Sequence, residues 1–241
     1  MKKGFFMKII AGNWKMNGNP ELLTEMVSAI SAINTNNRVI LCVPYTMLRG
    51  GNAVVMIGAQ NVSKYASGAH TGDISAAFVS ATGAMATIVG HSECRDALGD
   101  KNSDVAMRAK MALENDLLPI ICVGETADER DMGLTHKIIE NGIRESVPEN
   151  AKSGGFIIAY EPRWAIGKGI TPTIKDIESV HKIIRDTLCD MGYFDIPILY
   201  GASVNANNSG EIMSIPNVDG VLVGGASLKI DDFIPIIKSV K

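Results

Sequence analysis

The amino-acid sequence predicts an α/β fold, a single-domain (β/α)8 barrel, on three observations. Eight short aliphatic runs recur along the 241 residues, helical stretches with start signals lie between them, and polar residues gather just past the ends of the runs. The runs are apolar throughout rather than alternating, as strands covered on both faces should be. Strand–helix alternation eight times over closes into a barrel, with a doubly wound open sheet as the competing arrangement.

The first four runs are Lys8–Ala11, Val39–Val43, Val54–Ile57 and Ala86–Val89. The last four are Pro119–Val123, Phe156–Tyr160, Pro197–Tyr200 and Val218–Val223. Between them, Asn19-Pro20-Glu21 opens a helix over Glu21–Ile33, and Ser103-Asp104 opens another with Val105, Met107, Ala109, Met111 and Leu113 among polar residues. A helix over Ala127–Ser146 comes next. Thr171-Pro172 opens Thr173–Met191, where Ile174, Ile177, Val180, Ile183, Ile184 and Leu188 recur at helical spacing. The second and third runs leave room for only a turn or two around Thr46–Gly51. No linker divides the chain into halves.

Composition narrows the function classes. The net charge of −3 comes from mixed charges with no block of one sign, which argues against nucleic acid or an anionic membrane as partner. No apolar run approaches the roughly 18 residues of a membrane span. The opening Met1–Met7 is basic then apolar, but Lys8 interrupts it and no small-residue cleavage site comes after it, so it reads as an extension over residues 1–6 rather than a signal peptide. Cys42, Cys94, Cys122 and Cys189 form no CxxC pair, and the reading is reduced thiols in a cytoplasmic protein. No zinc spacing and no nucleotide-binding glycine motif is present.

In a barrel the chemistry sits past the C-terminal ends of the strands. The sixth run ends at Glu161, and a glycine-bearing loop, Pro162–Thr173, succeeds it. That is the pattern of a proton-transfer base under a lid, although a solvated turn would carry the same residues. After the first run, Asn13 and Lys15 offer an amide and a cation for an oxyanion. After the fourth comes His91, where Ser92 can cap a helix whose N-terminus disfavours the charged ring. Glu93 is placed to pair with Lys15 across the mouth. His136 and His181 fall within helical stretches and read as surface or boundary residues. Ser203 and Gly224-Gly225, past the last two runs, suit a phosphate held by backbone N–H groups at a helix start. Each of these features also has a purely structural reading when taken alone.

Over nearly its whole length the chain resembles triosephosphate isomerase. The matching stretches are Gly12–Gly18, Gly58–Asn61, Ser67–Ser75, Gly90–Glu93, Cys122–Thr126, Ala159–Pro162, Trp164–Gly167 and Leu222–Leu228. That family is a well-known case of pKa tuning and loop closure, and the residue roles its pattern implies carry that case over to this chain. The resemblance implies that Glu161 moves the proton between neighbouring carbons, that neutral His91 polarises the carbonyl, and that Lys15, positioned with Asn13, stabilises an enediolate. It implies that Glu93 supports Lys15, and that Gly167, Ser203, Gly224 and Gly225 hold the phosphate. It also implies a homodimer in which Thr71 reaches the partner's site, and no cofactor or metal. The chain departs from the family pattern at Arg163, Lys168 and Pro172 in the lid, at Cys94 after the histidine, and at Ala202 beside the phosphate seat. Pro172 has no N–H to offer a residue such as Tyr200. Two other classes compete: a phospho-sugar epimerase or indole-pathway isomerase, which needs metal ligands or a second carboxylate at the strand ends, and an impaired barrel kept as a phosphate-ligand-binding or surface protein, which should have lost one of Lys15, His91 and Glu161.

Overall fold

The structure, a computed structural model, describes residues 7–166 and 172–240; residues 1–6, expected to be an extension, lie outside them. Its strands are β1 (Ile9–Asn13), β2 (Arg38–Cys42), β3 (Val55–Ala59), β4 (Ala86–Val89), β5 (Leu118–Val123), β6 (Ile157–Tyr160), β7 (Ile198–Tyr200) and β8 (Gly220–Val223). Each pairs in parallel with the next, and β8 pairs with β1, so the sheet is a closed barrel and the open-sheet alternative falls. At the closing seam Ile9 lies opposite Gly220 and Gly12 opposite Val223. A Cβ at position 220 would stand 1.9 Å from the Ile9 carbonyl oxygen, so only glycine lets the two strands meet there.

Around the barrel run α1 (Pro20–Ser31), α2 (Ala76–Ala81), α3 (Ser92–Leu98), α4 (Asn102–Glu114) and α5 (Ala127–Asp131). The circuit continues with α6 (Thr135–Ser146), α7 (Ile174–Asp190), α8 (Ser209–Ser214) and α9 (Ile230–Lys238). Start signals account for several of these. The Asn19 side chain accepts the Leu22 N–H with Pro20 in the first turn, and Thr173 with Asp176 forms a reciprocal capping box on α7. The helix expected over residues 127–146 is two helices, because Gly133 takes a φ of +71° and breaks the run after a single turn. Around Thr46 the chain makes a 3-10 turn, Tyr45–Met47.

The core divides into two bodies. Alternate strand residues such as Ile40, Ile88, Ile120, Leu199 and Leu222 fill the barrel, with Ala11, Ala86 and Ala159 between them. The residues facing outward, including Ile10, Leu41, Val89, Ile158 and Val223, pack beneath the helices. Because every strand is covered on both faces, its sequence reads as an unbroken apolar run. His181, expected near the surface, is buried on the inner face of α7 with Ile177 and Ile184, and its Nδ1 meets the Asn217 carbonyl at 3.0 Å. Burial pulls its pKa down to about 4, so the ring is neutral.

Candidate active site

At the C-terminal mouth, short segments leaving five strands converge on a pocket of roughly 240 Å³. Asn13, Lys15, His91, Glu161, Ser203, Gly224 and Gly225 all line it, together with the apolar Ile166, Val204 and Leu222. Glu93 stands outside the lining and contacts Lys15. Thr71 is exposed on the loop between β3 and α2 and does not line this pocket. Gly167 and Lys168 lie outside the described residues.

Asn13 is the last residue of β1, buried, and its Oδ1 accepts the Lys15 N–H at 3.0 Å. This closes a bend in which Lys15 takes a left-handed φ of 53°, uncommon for a residue with a side chain. The Gln60 amide, just past β3, holds the bend from the other side: Nε2 donates to the Lys15 carbonyl at 2.7 Å and to that of Cys42 at 3.2 Å. Gln60 is a positioning residue whose role the sequence alone does not signal. The bend turns the Lys15 ammonium to the mouth, where it meets Glu93 Oε1 at 2.5 Å.

His91 caps α3 through its own ring: Nδ1 accepts the Glu93 N–H at 3.2 Å. Ser92, expected to be the cap, is the first helical residue, and its N–H donates instead to Glu161 Oε2 at 3.0 Å. Glu161 comes directly after β6, with its N–H bonded to the Val123 carbonyl at 2.8 Å. Its Oε1 lies 3.0 Å from His91 Nε2, and both side chains are buried. The main chain of β5 passes so close that a Cβ at Gly124 would fall 1.7 Å from the Glu161 carbonyl oxygen.

Burial alone would raise the Glu161 pKa, but the His91 ring, the Ser92 N–H and the Lys15 charge outweigh it and hold the carboxyl below its ordinary range. For His91, burial acts downward, and the charge and hydrogen bond of Glu161 override it, so the net displacement is upward. The Glu93 N–H opposes that displacement, because Nδ1 accepts a hydrogen bond only when it carries no proton. This geometry defines the tautomer of the neutral ring, with its proton on Nε2. The upward influence comes mainly from the Glu161 carboxylate, with a smaller share from Glu93.

The phosphate-seat candidates sit opposite. Ser203 takes a left-handed φ of 43°, and the turn it occupies is tied by Asn208 Nδ2 to the Ser203 carbonyl at 3.0 Å. A Cβ at Gly225 would meet nothing within 4 Å, and one at Gly224 only Lys15 Cε at 3.8 Å. Packing therefore does not require glycine at either position. The missing side chains leave open space beside main-chain N–H groups. Gly225 begins a 3-10 turn, Gly225–Leu228, and α9 starts only at Ile230.

Beyond Glu161 the chain is braced by Glu125, which is fully buried after β5 and whose role the sequence likewise does not signal. Its Oε1 accepts from Trp164 Nε1 at 2.9 Å and from the Tyr160 hydroxyl at 3.1 Å. Its main-chain oxygen accepts the Arg163 N–H at 3.1 Å. The Arg163 guanidinium pairs with Asp96 on α3. Tyr200 Oη is buried and unbonded among the described residues, and Pro172 is buried. No group of three or more His, Cys, Asp or Glu side chains among the described residues could hold a metal ion.

Comparison with known proteins accords with this geometry. Residues 8–240 match the family model described as triosephosphate isomerase. Among curated relatives, the triosephosphate isomerase of Bradyrhizobium sp. (strain ORS 278) is 44% identical over 244 residues, covering 95% of this chain and 96% of its own. That of Jannaschia sp. (strain CCS1) is 44% identical, covering 97% and 98%. Among solved structures, the crystal structure of triosephosphate isomerase from Bartonella henselae superposes with a TM-score of 0.89 at 35% identity, over 96% of this chain and 98% of that one. The chain belongs to the triosephosphate isomerase family.

Proposed function

We propose that this protein interconverts dihydroxyacetone phosphate and D-glyceraldehyde 3-phosphate through an enediolate, in glycolysis and gluconeogenesis, as a single barrel domain. The observation that carries the reading is a buried carboxylate, Glu161, 3.0 Å from His91 Nε2, whose Nδ1 accepts the Glu93 N–H, in one pocket with the Lys15 ammonium. Glu161, held ionised, takes the proton from the carbon beside the carbonyl and returns it to the neighbouring carbon. His91 donates from Nε2 to the carbonyl oxygen and passes the proton between the two oxygens. Lys15 places positive charge where the enediolate oxygen becomes negative, and Asn13 orients Lys15. Glu93 steadies the ammonium.

The phosphate rests on main-chain N–H groups at Ser203, Gly224 and Gly225, with Gly167 as a further contact outside the described residues. Ile166, Val204 and Leu222 give the pocket apolar walls, which strengthen each charge interaction by excluding water. The proton's donors and acceptors all come from this chain and the substrate, so the reaction calls for no cofactor. Among the described residues, neither a set of metal ligands nor a second carboxylate lining the pocket supports the epimerase-type alternatives, and all three of Lys15, His91 and Glu161 line the pocket, against an impaired barrel.

A homodimer belongs to the same reading. Met16, next to Lys15, is 96% exposed, and Tyr45, Tyr65 and Phe78 are exposed as well. A second copy would cover such side chains and bring its Thr71 loop to this mouth. The cytoplasm is the proposed location: all four cysteines are free, and no described helix is long and apolar enough to cross a membrane.

The test is a coupled assay on glyceraldehyde 3-phosphate with and without a phosphorylated hydroxamate that mimics the enediolate. Turnover blocked by the mimic, and reduced about 10²–10⁴-fold in Glu161→Gln, is expected. Mimic binding without turnover would favour the impaired barrel. Size-exclusion with light scattering reads the dimer.

A further inference from the structure

We propose that the Arg163–Asp96 ion pair is a positioning strut for the isomerisation, fixing the segment that carries Glu161 against α3. The inference rests on the isomerase reading and deepens it. Helix α3 is seven residues long, yet three groups at its start serve the site: the His91 ring caps it, the Ser92 N–H holds Glu161 Oε2, and Glu93 holds the Lys15 ammonium. Small rotations of this helix therefore move the base's partner and the ammonium's partner together.

Arg95 ties α3 to the neighbouring strands, donating to the Gly90 carbonyl at 2.8 Å, the Cys122 carbonyl at 3.1 Å and Asn102 Oδ1 at 2.8 Å. None of these bonds reaches the segment after β6. Among the described residues, Arg163–Asp96 is the one ion pair that does so apart from the His91–Glu161 contact itself. The Arg163 main chain is held from the opposite side by the Glu125 carbonyl, so the residue spans from β5 to α3 two positions beyond the base.

An arginine is a costly choice for holding two pieces of chain together here. Its side chain is only 23% exposed, and Nε is buried without a partner among the described residues. Its charge also stands near that of Arg95 and disfavours it. A small apolar residue would avoid both costs. Asp96 offsets the charge, and because its own side chain is 64% exposed, the pair adds little to global stability. Placement next to the base is what such a pair can contribute.

The experiment compares wild type with Arg163→Met, Asp96→Asn, the double variant and the reversed pair Arg163→Glu/Asp96→Arg, measuring kcat, KM and the melting midpoint with glyceraldehyde 3-phosphate. Each single variant should lose roughly two- to fivefold in kcat with KM within about twofold, and the double variant should be no worse than the poorer single. The reversed pair should regain activity. In about 1 M NaCl, where screening acts within ~3 Å, wild-type kcat should fall toward that of the double variant, whose own value stays constant. Unchanged kcat in the singles, losses that multiply in the double, or no recovery on reversal would overturn the strut. An inactive wild type would overturn the isomerase reading and the strut together, whereas an active wild type matched by its variants would overturn the strut alone.

Discussion

Replacing Gly124 by alanine tests whether the position of the base is set by main-chain contact rather than by its own side-chain bonds. The added Cβ would lie 1.7 Å from the Glu161 carbonyl oxygen and 2.7 Å from its carbonyl carbon. Ordinary carbon contacts need about 3.5 Å, so β5 and β6 must part by more than ~1 Å at the residue proposed as the base. A displacement of that size costs on the order of 10²-fold in rate, and forcing a methyl into packed main chain costs roughly 1–3 kcal/mol. The assay is kcat at saturating glyceraldehyde 3-phosphate, beside a thermal melt. Gly142→Ala is the control: its Cβ would make ordinary contact with Val123 at 3.5 Å, inside α6, and alanine there should stabilise by about 0.5–1 kcal/mol without changing kcat. A folded Gly124→Ala variant turning over like wild type would refute the reasoning.

The same geometry makes three further outcomes testable. Gln60→Ala removes both amide bonds that hold the Lys15 bend, and kcat/KM should fall roughly tenfold or more while the melting midpoint moves only a few degrees; unchanged kinetics would show that the bend holds itself. Gly225→Val should fold as wild type, since its Cβ meets nothing, yet raise KM about tenfold by filling the proposed phosphate seat; an unchanged KM would place the phosphate elsewhere. The buried neutral His181 titrates near 4 when folded and at 6.5 when unfolded, so its stabilisation is complete above pH 6.5 and is lost as the pH falls toward 4. That is about 3 kcal/mol, absent from His181→Gln, and denaturant titrations across this window should show the variant's stability to be the flatter of the two. His91, displaced upward, acts in the opposite sense and cancels in the comparison.

The strands are legible in the sequence because a run buried on both faces is almost wholly apolar, and each falls within two residues of its expected place. Their ends are less so: Gly12 and Asn13 look like loop residues but extend β1, since the ladder to Leu41 and Cys42 needs only their main chain. Glu161, His91 and Lys15 are readable as ionisable groups just past apolar runs. Ser92 misleads, because a serine before a helix signals its hydroxyl, whereas this site uses its N–H, which every residue but proline possesses. Gln60 and Glu125 act by bracing other groups, and nothing in their identity announces it. His181 leaves a signal that residue type obscures: it stands four after Ile177 and three before Ile184, on the buried stripe of α7.

The seam between β1 and β8 has a consequence for when the enzyme becomes active. Lys15 leaves the first strand and Gly224 the last, and both line the same pocket across the join. The ammonium and the proposed phosphate seat are therefore separated by nearly the whole chain in sequence, and their meeting depends on the most distant strand pairing in the molecule. During synthesis, β1 through β7 can form and pack while the site is still missing one wall. The pocket is therefore complete only once the final strand closes the barrel, and a chain cut short before Gly220 would present Glu161 and His91 without the Gly224–Gly225 side of it.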